Sequence, residues 1–548
     1  MIIRILRDNG EWLLLWLLLL AASLYARPPI PVDETRYLSV AWEMWRSGDF
    51  LVPHINGEPY SHKPPLLFWL IHLGWWLFGV NEWSARMTPP LFGLGAIFLA
   101  RGLAARLWPG ERTTRQAVPF LLLGCFFWGL YSTLTLFDML VAFFSLLALH
   151  GLLLAHEGRA GVGWGMFALA LGLGILAKGP VILVYVAGPA LLAPLWRIGK
   201  EGSWPAWYGG LLAALVVAAG MALAWALPAA RAGGQQYGQA ILFGQTAGRM
   251  VRAFAHQRAF WWYLVSVPLL LLPWPLCGIF WRGRIGRPGI WSWPVRFCLT
   301  VLVPAFLILS LVSGKQVHYL LPLLPIAALV AAHGISREGG KSGSSLFPLV
   351  FFYLLLAVLL FLLPRLPFTG GDADLLVLVP PLLGLVPLLA AMFLWDMGRL
   401  GTGSVDRVRL TGTVAVLVLI CLQIGMRSPL QRLYGAEAVF ADMHVVQARG
   451  LDIAVYPERF ADQFHFAGRL SRPLIRQPIL PRELVWAYHN PESYCLIFVE
   501  EEKDMWLLEG EGVKRRYGKG WLLFRPARGL YDEYLAMERK AKERRDGS

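Results

Sequence analysis

Apolar stretches long enough to cross a lipid bilayer recur along the first four-fifths of this sequence, and they constrain its fold more than any other feature. A transmembrane helix needs about 20 mostly apolar residues, because the hydrocarbon core of a bilayer is about 30 Å thick. The chain is 57% hydrophobic and 16% charged, whereas about a quarter of the residues of a soluble protein are charged. The sequence therefore predicts an α-helical polytopic membrane protein.

Lysines and arginines collect in short connections between the apolar stretches, as they do in cytoplasmic loops. This distribution accounts for the net charge of +15, and basic residues scattered over many loops do not form the single basic stripe of a nucleic-acid-binding protein. The alternation of apolar stretches and basic loops predicts about thirteen transmembrane helices. They cover 12–28, 87–107, 117–134, 139–156, 162–178, 180–196, 207–228, 261–281, 295–313, 317–335, 346–363, 375–397 and 409–426.

Two apolar stretches need separate interpretation. The first follows Arg4 and Arg7 and is similar to a signal peptide, but we expect an uncleaved first span. The stretch 66–80 is too short for a span and, if it crossed, would turn the arginine-rich loop 101–115 outward, so we expect it in the outer interface. With the N-terminus inside and an odd number of spans, the C-terminal region lies outside the cytoplasm.

The composition changes near residue 430, where short strands are predicted at 451–456, 494–499 and 521–524 between turn residues. We therefore predict a transmembrane domain over 1–428, with outer loops 29–86 and 229–260, and a soluble α/β domain over 429–548.

An amphipathic helix is predicted inside the first outer loop. Leu38, Ala41 and Trp45 recur at helical spacing, while Glu43 falls on another face. Such a helix typically lies in the membrane interface.

The residues whose side chains are suited to catalysis or ligand binding lie at the ends of the apolar segments or in their connections, all on the predicted outer side. They are Asp33, Glu34, Tyr60, His62, Lys63, Asp138, Lys178, His256, Lys315, His318 and Tyr319. Ionisable residues at membrane segments are costly and are functional candidates by default. Their convergence on one face predicts a site there.

Each of these residue types has a functional and a structural interpretation. Asp33 and Glu34 are suited to general-base chemistry or to orienting an acceptor, but acidic residues also stabilise a helix N-terminus. Lys63 is either a point charge for a phosphate or a lysine whose ammonium reaches the interface. Arg258 lies in an arginine-rich outer loop, and arginines make bidentate phosphate contacts.

A divalent metal is an open alternative, and no other cofactor is predicted. Glu58, His62, His256 and His318 lie on the same predicted side, but their spacing is not diagnostic of a metal site. The five cysteines form no CxxC motif and predict neither disulfides nor a cysteine metal site.

Taken in order, these motifs resemble the C-type glycosyltransferases of bacterial inner membranes, above all the lipid A aminoarabinose transferase and protein O-mannosyltransferase superfamily. The matching residues are Val32-Asp33-Glu34-Thr35-Arg36-Tyr37, Gly48-Asp49-Phe50-Leu51-Val52-Pro53-His54, Tyr60, Lys63-Pro64, Leu136, Asp138, Lys178-Gly179, His256, Arg258, Phe260-Trp261, Tyr263, Gly314-Lys315 and Tyr319. Aminoarabinose transferases typically carry Glu where this chain has His62, whereas other bacterial members of the superfamily have His-Lys-Pro-Pro.

The resemblance implies a C-type glycosyltransferase fold of about thirteen spans, interfacial helices in the first periplasmic loop and a periplasmic C-terminal domain. It also implies an inverting transfer of a sugar from an undecaprenyl, or other polyprenyl, phosphate carrier, in an inner-membrane protein whose active site faces the periplasm. Aminoarabinose or a related sugar passing to lipid A is the expected reaction, with another glycan or a protein as alternative acceptors. Membrane lipids are the remaining expected partners.

Residue roles follow from the same resemblance. The donor phosphate is expected at Lys63, Arg258, Lys178, Lys315 and Tyr319. Asp33, Glu34 and Asp138 are the expected catalytic residues, and Tyr37, Tyr60, His62, His256 and His318 the expected substrate-binding residues.

Two alternatives stay open: an enzyme similar to the protein O-mannosyltransferases, and a transporter or flippase of lipid-linked saccharides. A transporter predicts charges near the bilayer midplane on discontinuous helices. The concentration of charges on the outer face favours the enzyme.

Overall fold

The computed structural model describes residues 2–197, 203–243, 257–278, 291–337, 346–365, 378–399, 403–477, 484–500, 505, 507, 508 and 510–546. The chain divides into two compact units. The helical unit comprises Met1–Tyr25, Ser61–Pro364 and Pro380–Gly425, and the α/β unit comprises Ala26–Tyr60, Arg365–Val379 and Met426–Ser548.

Helices dominate the described part of the chain. They are α1 (Ile2–Ala26), α2 (Asp33–Ser47), α3 (Leu66–Phe78), α4 (Glu82–Leu107), α5 (Arg112–Leu123), α6 (Phe126–Tyr131), α7 (Asp138–His156), α8 (Ala160–Lys178), α9 (Leu183–Leu191), α10 (Ala193–Trp196), α11 (Trp204–Ala232), α12 (Gly234–Gln239), α13 (Trp262–Leu270), α14 (Trp293–Leu311), α15 (Leu324–Ser336), α16 (Phe347–Leu362), α17 (Leu385–Arg399), α18 (Ser404–Gly425), α19 (Arg427–Tyr434), α20 (Glu437–Ala448), α21 (Leu484–His489) and α22 (Leu530–Asp546). A 3₁₀-helix, Val317–Leu323, leads into α15.

Ten helical stretches among the described residues are long and apolar enough to cross a membrane, which confirms the polytopic helical fold. The predicted number was about thirteen, and three differences account for the gap. The predicted span 117–134 is broken between α5 and α6. In the predicted span 261–281, α13 contains Pro268 and ends at Leu270, ahead of Pro273, and residues 279–281 lie outside the described part of the chain. The predicted spans 162–178 and 180–196 form one helical stretch, Ala160–Leu191.

Helix α3 has the length that the sequence predicts for a segment that does not cross. Its 13 residues span about 20 Å at 1.5 Å per residue, less than the roughly 30 Å of a bilayer core.

Glycines set the packing of the central helices α4, α7 and α8. A side chain at Gly163 of α8 would come within 2.4 Å of the Ala155 nitrogen of α7, so these two helices meet backbone to backbone. Because α8 runs antiparallel to α7, its last residue, Lys178, lies beside the first residue of α7, Asp138.

Helix α4 lies parallel to α7. Gly93 of α4 adjoins Met139, and Gly102 adjoins His150, whose Nε2 lies 2.9 Å from the carbonyl oxygen of Leu99. The later turns of α4 therefore lie near the end of α7 opposite Asp138. Met139 and His150 are eleven residues apart, which corresponds to about 16 Å along the axis of α7.

The α/β unit contains a five-stranded mixed sheet of order β4-β3-β5-β7-β6. Its strands are β3 (Ile453–Tyr456), β4 (Ile475–Arg476), β5 (Tyr494–Val499), β6 (Val513–Tyr517) and β7 (Gly520–Pro526), and a two-stranded sheet pairs β1 (His54–Ile55) with β2 (Glu58–Pro59). Strand β3 is parallel to both of its neighbours, and β7 is antiparallel to both β5 and β6. Successive residues of β3 enter two different apolar clusters, so both faces of the sheet are covered.

The first outer loop packs within the same unit as the sheet. Trp42 Nε1 of α2 donates to the Leu470 carbonyl at 2.9 Å, and the Asn56 side chain exchanges hydrogen bonds with the backbone of Leu474. Glu43, which the sequence assigns to a face of α2 other than its apolar one, is buried, and its carboxylate accepts hydrogen bonds from the backbone amides of Asn56 and Gly57.

Candidate functional site

Asp138 and Lys178 form a buried ion pair at one end of the helical unit. Lys178 Nζ lies 2.7 Å from Asp138 Oδ1, and the two side chains are 12% and 4% exposed. Asp138 opens α7 and Lys178 closes α8, so each charge has the sign that its helix end favours. The Coulomb attraction between two desolvated charges at this distance is stronger than in a surface pair, and removing either partner would leave the other charge buried and unpaired.

The 3₁₀-helix brings two further predicted residues to this pair. His318 Nε2 lies 3.9 Å from Asp138 Oδ2, and Lys178 Nζ lies 4.9 Å from the ring centroid of Tyr319, within the range of a cation–π interaction. Tyr185 fixes the backbone here, because its hydroxyl donates to the Tyr319 carbonyl at 2.7 Å.

Lys63 belongs to the same group. Its Nζ lies 5.8 Å from the ring centroid of Phe137, the residue before Asp138, and it interacts electrostatically with Asp138. Lys63, Lys178 and His318 thus form a cation cluster around Asp138. Two lysines against one aspartate leave a net positive charge in a buried setting, which is suited to stabilising an anion.

Lys315 has a different environment from the one predicted. It is 3% exposed, and its ammonium donates to the carbonyls of Arg258, at 3.0 Å, and Val312. Burial lowers the pKa of this ammonium. These contacts favour a positioning role, in which Lys315 holds the segment that carries Arg258.

Arg258 is exposed, and its guanidinium lies 5.6 Å from the ring centroid of Trp262. Its amide donates to the Ser313 carbonyl at 3.1 Å, and Tyr263 donates to the Gln316 carbonyl at 2.9 Å. The segments 257–263 and 313–319 are therefore cross-linked by hydrogen bonds.

Sequence reasoning did not single out Tyr185, which lies in an apolar stretch where an aromatic residue indicates packing alone. The signal that could have found it is its hydroxyl, since a buried tyrosine oxygen usually has a hydrogen-bond partner.

The acidic pair of the first outer loop lies in the α/β unit. Asp33 is partly exposed and accepts a hydrogen bond from Tyr37 at 3.1 Å. Glu34 is buried, forms an ion pair with Arg27 and accepts from the amide of Ile30 at 2.9 Å. These contacts give Glu34 the role of fixing the start of α2, and they leave Asp33 the more accessible carboxylate.

The metal alternative stays a prediction. Glu58 is exposed and lies 3.6 Å from Arg476. Tyr60 is buried, its amide donates to the carbonyl of Pro53, and His62 is exposed. His256 lies outside the described residues. Across the described ranges, no three His, Cys, Asp or Glu side chains are grouped so as to hold a metal ion.

Comparisons with known proteins agree with this architecture. Residues 62–225 match a family model described as dolichyl-phosphate-mannose-protein mannosyltransferase. An undecaprenyl phosphate-alpha-4-amino-4-deoxy-L-arabinose arabinosyl transferase of Edwardsiella ictaluri is 30% identical over 325 residues, or 57% of each chain. A protein of the same name from Pseudomonas aeruginosa strain LESB58 is 31% identical over 64% of this chain and 66% of its own length. The match to the first of these relatives thus spans just over half of its length.

A solved structure supports the fold along nearly the whole chain. ArnT from Cupriavidus metallidurans, bound to undecaprenyl phosphate, superposes with a TM-score of 0.72 and 19% identity over 95% of this chain and 97% of that one. The resemblance seen in the motifs is therefore confirmed: this chain has the fold of the C-type glycosyltransferases and is similar in sequence to their aminoarabinose transferase and protein O-mannosyltransferase superfamily.

Proposed function

We propose that this protein is a glycosyltransferase that takes a sugar from an undecaprenyl or related polyprenyl phosphate and passes it to an acceptor on the periplasmic side of the inner membrane. The observation that carries this proposal is the cation cluster, in which Lys63 and Lys178 are held around the single carboxylate of Asp138. The relatives named for undecaprenyl phosphate-aminoarabinose and the ArnT structure with undecaprenyl phosphate support this class of donor.

The chemistry explains why cations are needed. The bond between the anomeric carbon and the phosphate oxygen breaks, and its electron pair leaves with the phosphate. A bond from the acceptor oxygen to the same carbon forms on the opposite face, so configuration inverts. Preorganised cations stabilise the charge that develops on the leaving phosphate, and an oriented donor of this kind contributes about 3 to 4 kcal/mol.

The acceptor decides whether a base is required. A hydroxyl must lose its proton, and Asp33 is the proposed base for that case. A phosphate acceptor, as on lipid A, is already anionic near neutral pH, and Asp33 then serves only to orient it. Transfer of aminoarabinose or a related sugar to lipid A is the specific reaction we propose, because the relatives carry that donor in their names.

A protein acceptor is the second candidate. The match to the protein mannosyltransferase model begins at His62, in the motif where this chain has His-Lys-Pro-Pro rather than Glu-Lys-Pro. This local pattern favours an acceptor other than lipid A while keeping the same donor chemistry.

A reconstituted transfer assay tests the proposal. The full chain in lipid vesicles would receive candidate undecaprenyl phosphate sugars with lipid A or with a protein fraction, and products would be read by mass spectrometry. The variant Lys178→Met supplies the comparison, and Arg159→Gln is the control. Arg159 is an exposed arginine between the end of α7 and the start of α8, at the opposite end of these helices from Asp138 and Lys178.

The expected result is a pentose-derived mass added to lipid A, lost with Lys178→Met and kept with Arg159→Gln. A hexose mass added to a protein, with lipid A unmodified, would identify a protein as the acceptor in place of lipid A. Movement of lipid-linked sugar across the bilayer without release of undecaprenyl phosphate would overturn the enzyme in favour of a transporter.

A further inference from the structure

A cavity of about 330 Å³ opens between α1, α4, α5 and α18 of the helical unit. It is lined by Asn9, Gly10, Glu11, Trp12, Arg101, Arg112, Arg115, Gln116, Phe120 and Arg409. Arg101 lies near the end of α4, beside the Gly102–His150 contact, so the cavity is at the end of the unit opposite Asp138. It is thus separate from the cation cluster.

Four arginines converge on this cavity, against one carboxylate among the described residues that line it. Two of the four are held in place by partners. Arg101 donates to Asn9, and Nη2 of Arg409 donates to both carboxylate oxygens of Glu11 at 2.6 Å. These contacts hold two residues of the cavity wall in place and engage Glu11, the one acid among the described residues that line the cavity.

Arg112 and Arg115 have no ion pair with any described residue. The Nε of Arg115 is buried and has no hydrogen-bond acceptor within the described structure. Glu111, the adjacent acid, is occupied elsewhere, because its carboxylate accepts from Thr114 at 2.6 Å and contacts His333 at 2.8 Å. A buried guanidinium donor without an acceptor is costly unless a ligand supplies one.

The positive end of a helix adds to this charge. Helix α5 begins at Arg112, has no acidic residue in its first turn, and presents Arg112, Arg115 and Gln116 to the cavity. The first turn of a helix and arginine forks both favour phosphate oxygens.

We infer that this cavity is a second anion site, which binds a phosphate group carried on a larger molecule. Its volume equals that of about ten water molecules, at roughly 30 Å³ each, which exceeds a bare phosphate ion and suits a headgroup. Helix α1 exposes Leu14, Leu17 and Leu18 in the turns after Trp12, as a lipid-facing helix does, so the phosphate of an anionic lipid is available here. A soluble phosphate compound has the same chemistry and is the other source.

Lipid binding to the full chain tests the inference without any sugar transfer. Native mass spectrometry of the detergent-purified protein would measure binding of phosphatidylglycerol and phosphatidylcholine, and thermal melting would be followed with added inorganic phosphate. The variants are Arg112→Gln/Arg115→Gln, the charge-preserving Arg112→Lys/Arg115→Lys, the exposed control Arg159→Gln, and Lys178→Met to exclude binding at the cation cluster.

The glutamine pair should weaken phosphatidylglycerol binding at least tenfold, the lysine pair less, and the two single variants not at all. If inorganic phosphate raises the melting temperature of wild type but not of the glutamine pair, while phosphatidylglycerol does not bind, the soluble source is supported. Equal and measurable binding of the two lipids by wild type, or unchanged phosphatidylglycerol binding in the glutamine pair, would overturn the inference. So would the absence of phosphatidylglycerol binding together with no effect of inorganic phosphate on the melting temperature of wild type.

Discussion

At the scale of single residues, the sequence identifies charged candidates but not their partners. Asp138 and Lys178 each stand out because they are charged next to long apolar stretches. Their pairing could not be predicted, since 40 residues separate them and only the antiparallel packing of α7 on α8 brings them to 2.7 Å. Glu43 and His465 were missed as buried groups for the same reason: their burial depends on residues distant in sequence.

Replacing Lys315 with Met distinguishes its positioning role from direct phosphate contact. The change leaves two carbonyls without their ammonium donor, which costs about 1 to 3 kcal/mol of local stability. We expect trypsin cleavage after the exposed Arg258 to accelerate, with Lys315→Arg showing less effect. If trypsin cleaves the Lys315→Met variant at the wild-type rate while its KM for the donor is raised, Lys315 contacts the phosphate directly.

His465 makes the stability of the α/β unit dependent on pH. Burial, together with Arg46 and Arg476, lowers the pKa of this imidazole from 6.5 to about 3, although the Glu43 carboxylate lies 3.5 Å from the ring. Above pH 6.5 the ring is neutral in both states, whereas below it the unfolded chain takes up the proton first, so stability falls as the pH drops towards 3. At pH 5 the loss is about 2 kcal/mol, from 1.36 kcal/mol per pH unit.

The variant His465→Gln should remove this dependence. Hydrogen exchange of β3 and β5 amides, compared between wild type and variant at each pH, gives the measurement. Wild type should lose protection relative to the variant between pH 7 and 5, and parallel profiles would show that His465 does not control the stability of the sheet.

At the scale of helices and strands, periodicity and composition predict the elements whose formation depends on residues close together in the sequence. The predicted strands 451–456, 494–499 and 521–524 correspond to β3, β5 and β7 within two residues at every end, and the helix that starts near Asp33 is α2. The interruption between α5 and α6 was missed because it depends on close packing: a side chain at Gly124 would lie 2.6 Å from the Gly412 backbone of α18.

Gly57, in the turn between β1 and β2, and Gly48, at the C-cap of α2, offer a matched pair of glycine substitutions in one unit. Gly57 has a φ of +78°, and an added methyl group would lie 2.7 Å from Cγ of Pro473, whereas Gly48 has a φ of +71° with open space around it. Gly48→Ala should cost about 1 kcal/mol from backbone strain alone, and Gly57→Ala about 1 to 2 kcal/mol more from the added clash. Melting of the full chain, followed by hydrogen exchange of α2, measures both, and equal effects would argue against the contact with Pro473.

At the scale of the whole molecule, the predicted topology assigns each loop to a side of the membrane. The loop after α7 contains the exposed Arg159 and should face the cytoplasm, while the exposed Arg449 after α20 should face the periplasm. In a chain with Cys421 replaced by Ser, a membrane-impermeant maleimide applied to intact cells should label Arg449→Cys and spare Arg159→Cys. The reverse pattern would invert the proposed orientation.

We propose that the cation cluster receives the phosphate of the lipid carrier, and an undecaprenyl phosphate binding assay on the purified chain tests this proposal. Lys178→Met should weaken binding about tenfold to a hundredfold, the equivalent of one charged hydrogen bond, and Lys178→Arg should keep most of it. The double variant Asp138→Asn/Lys178→Met, which leaves no unpaired buried carboxylate, should show the same loss. If the folded Lys178→Met variant and the double variant both bind undecaprenyl phosphate with wild-type affinity, the cation cluster does not hold the carrier phosphate.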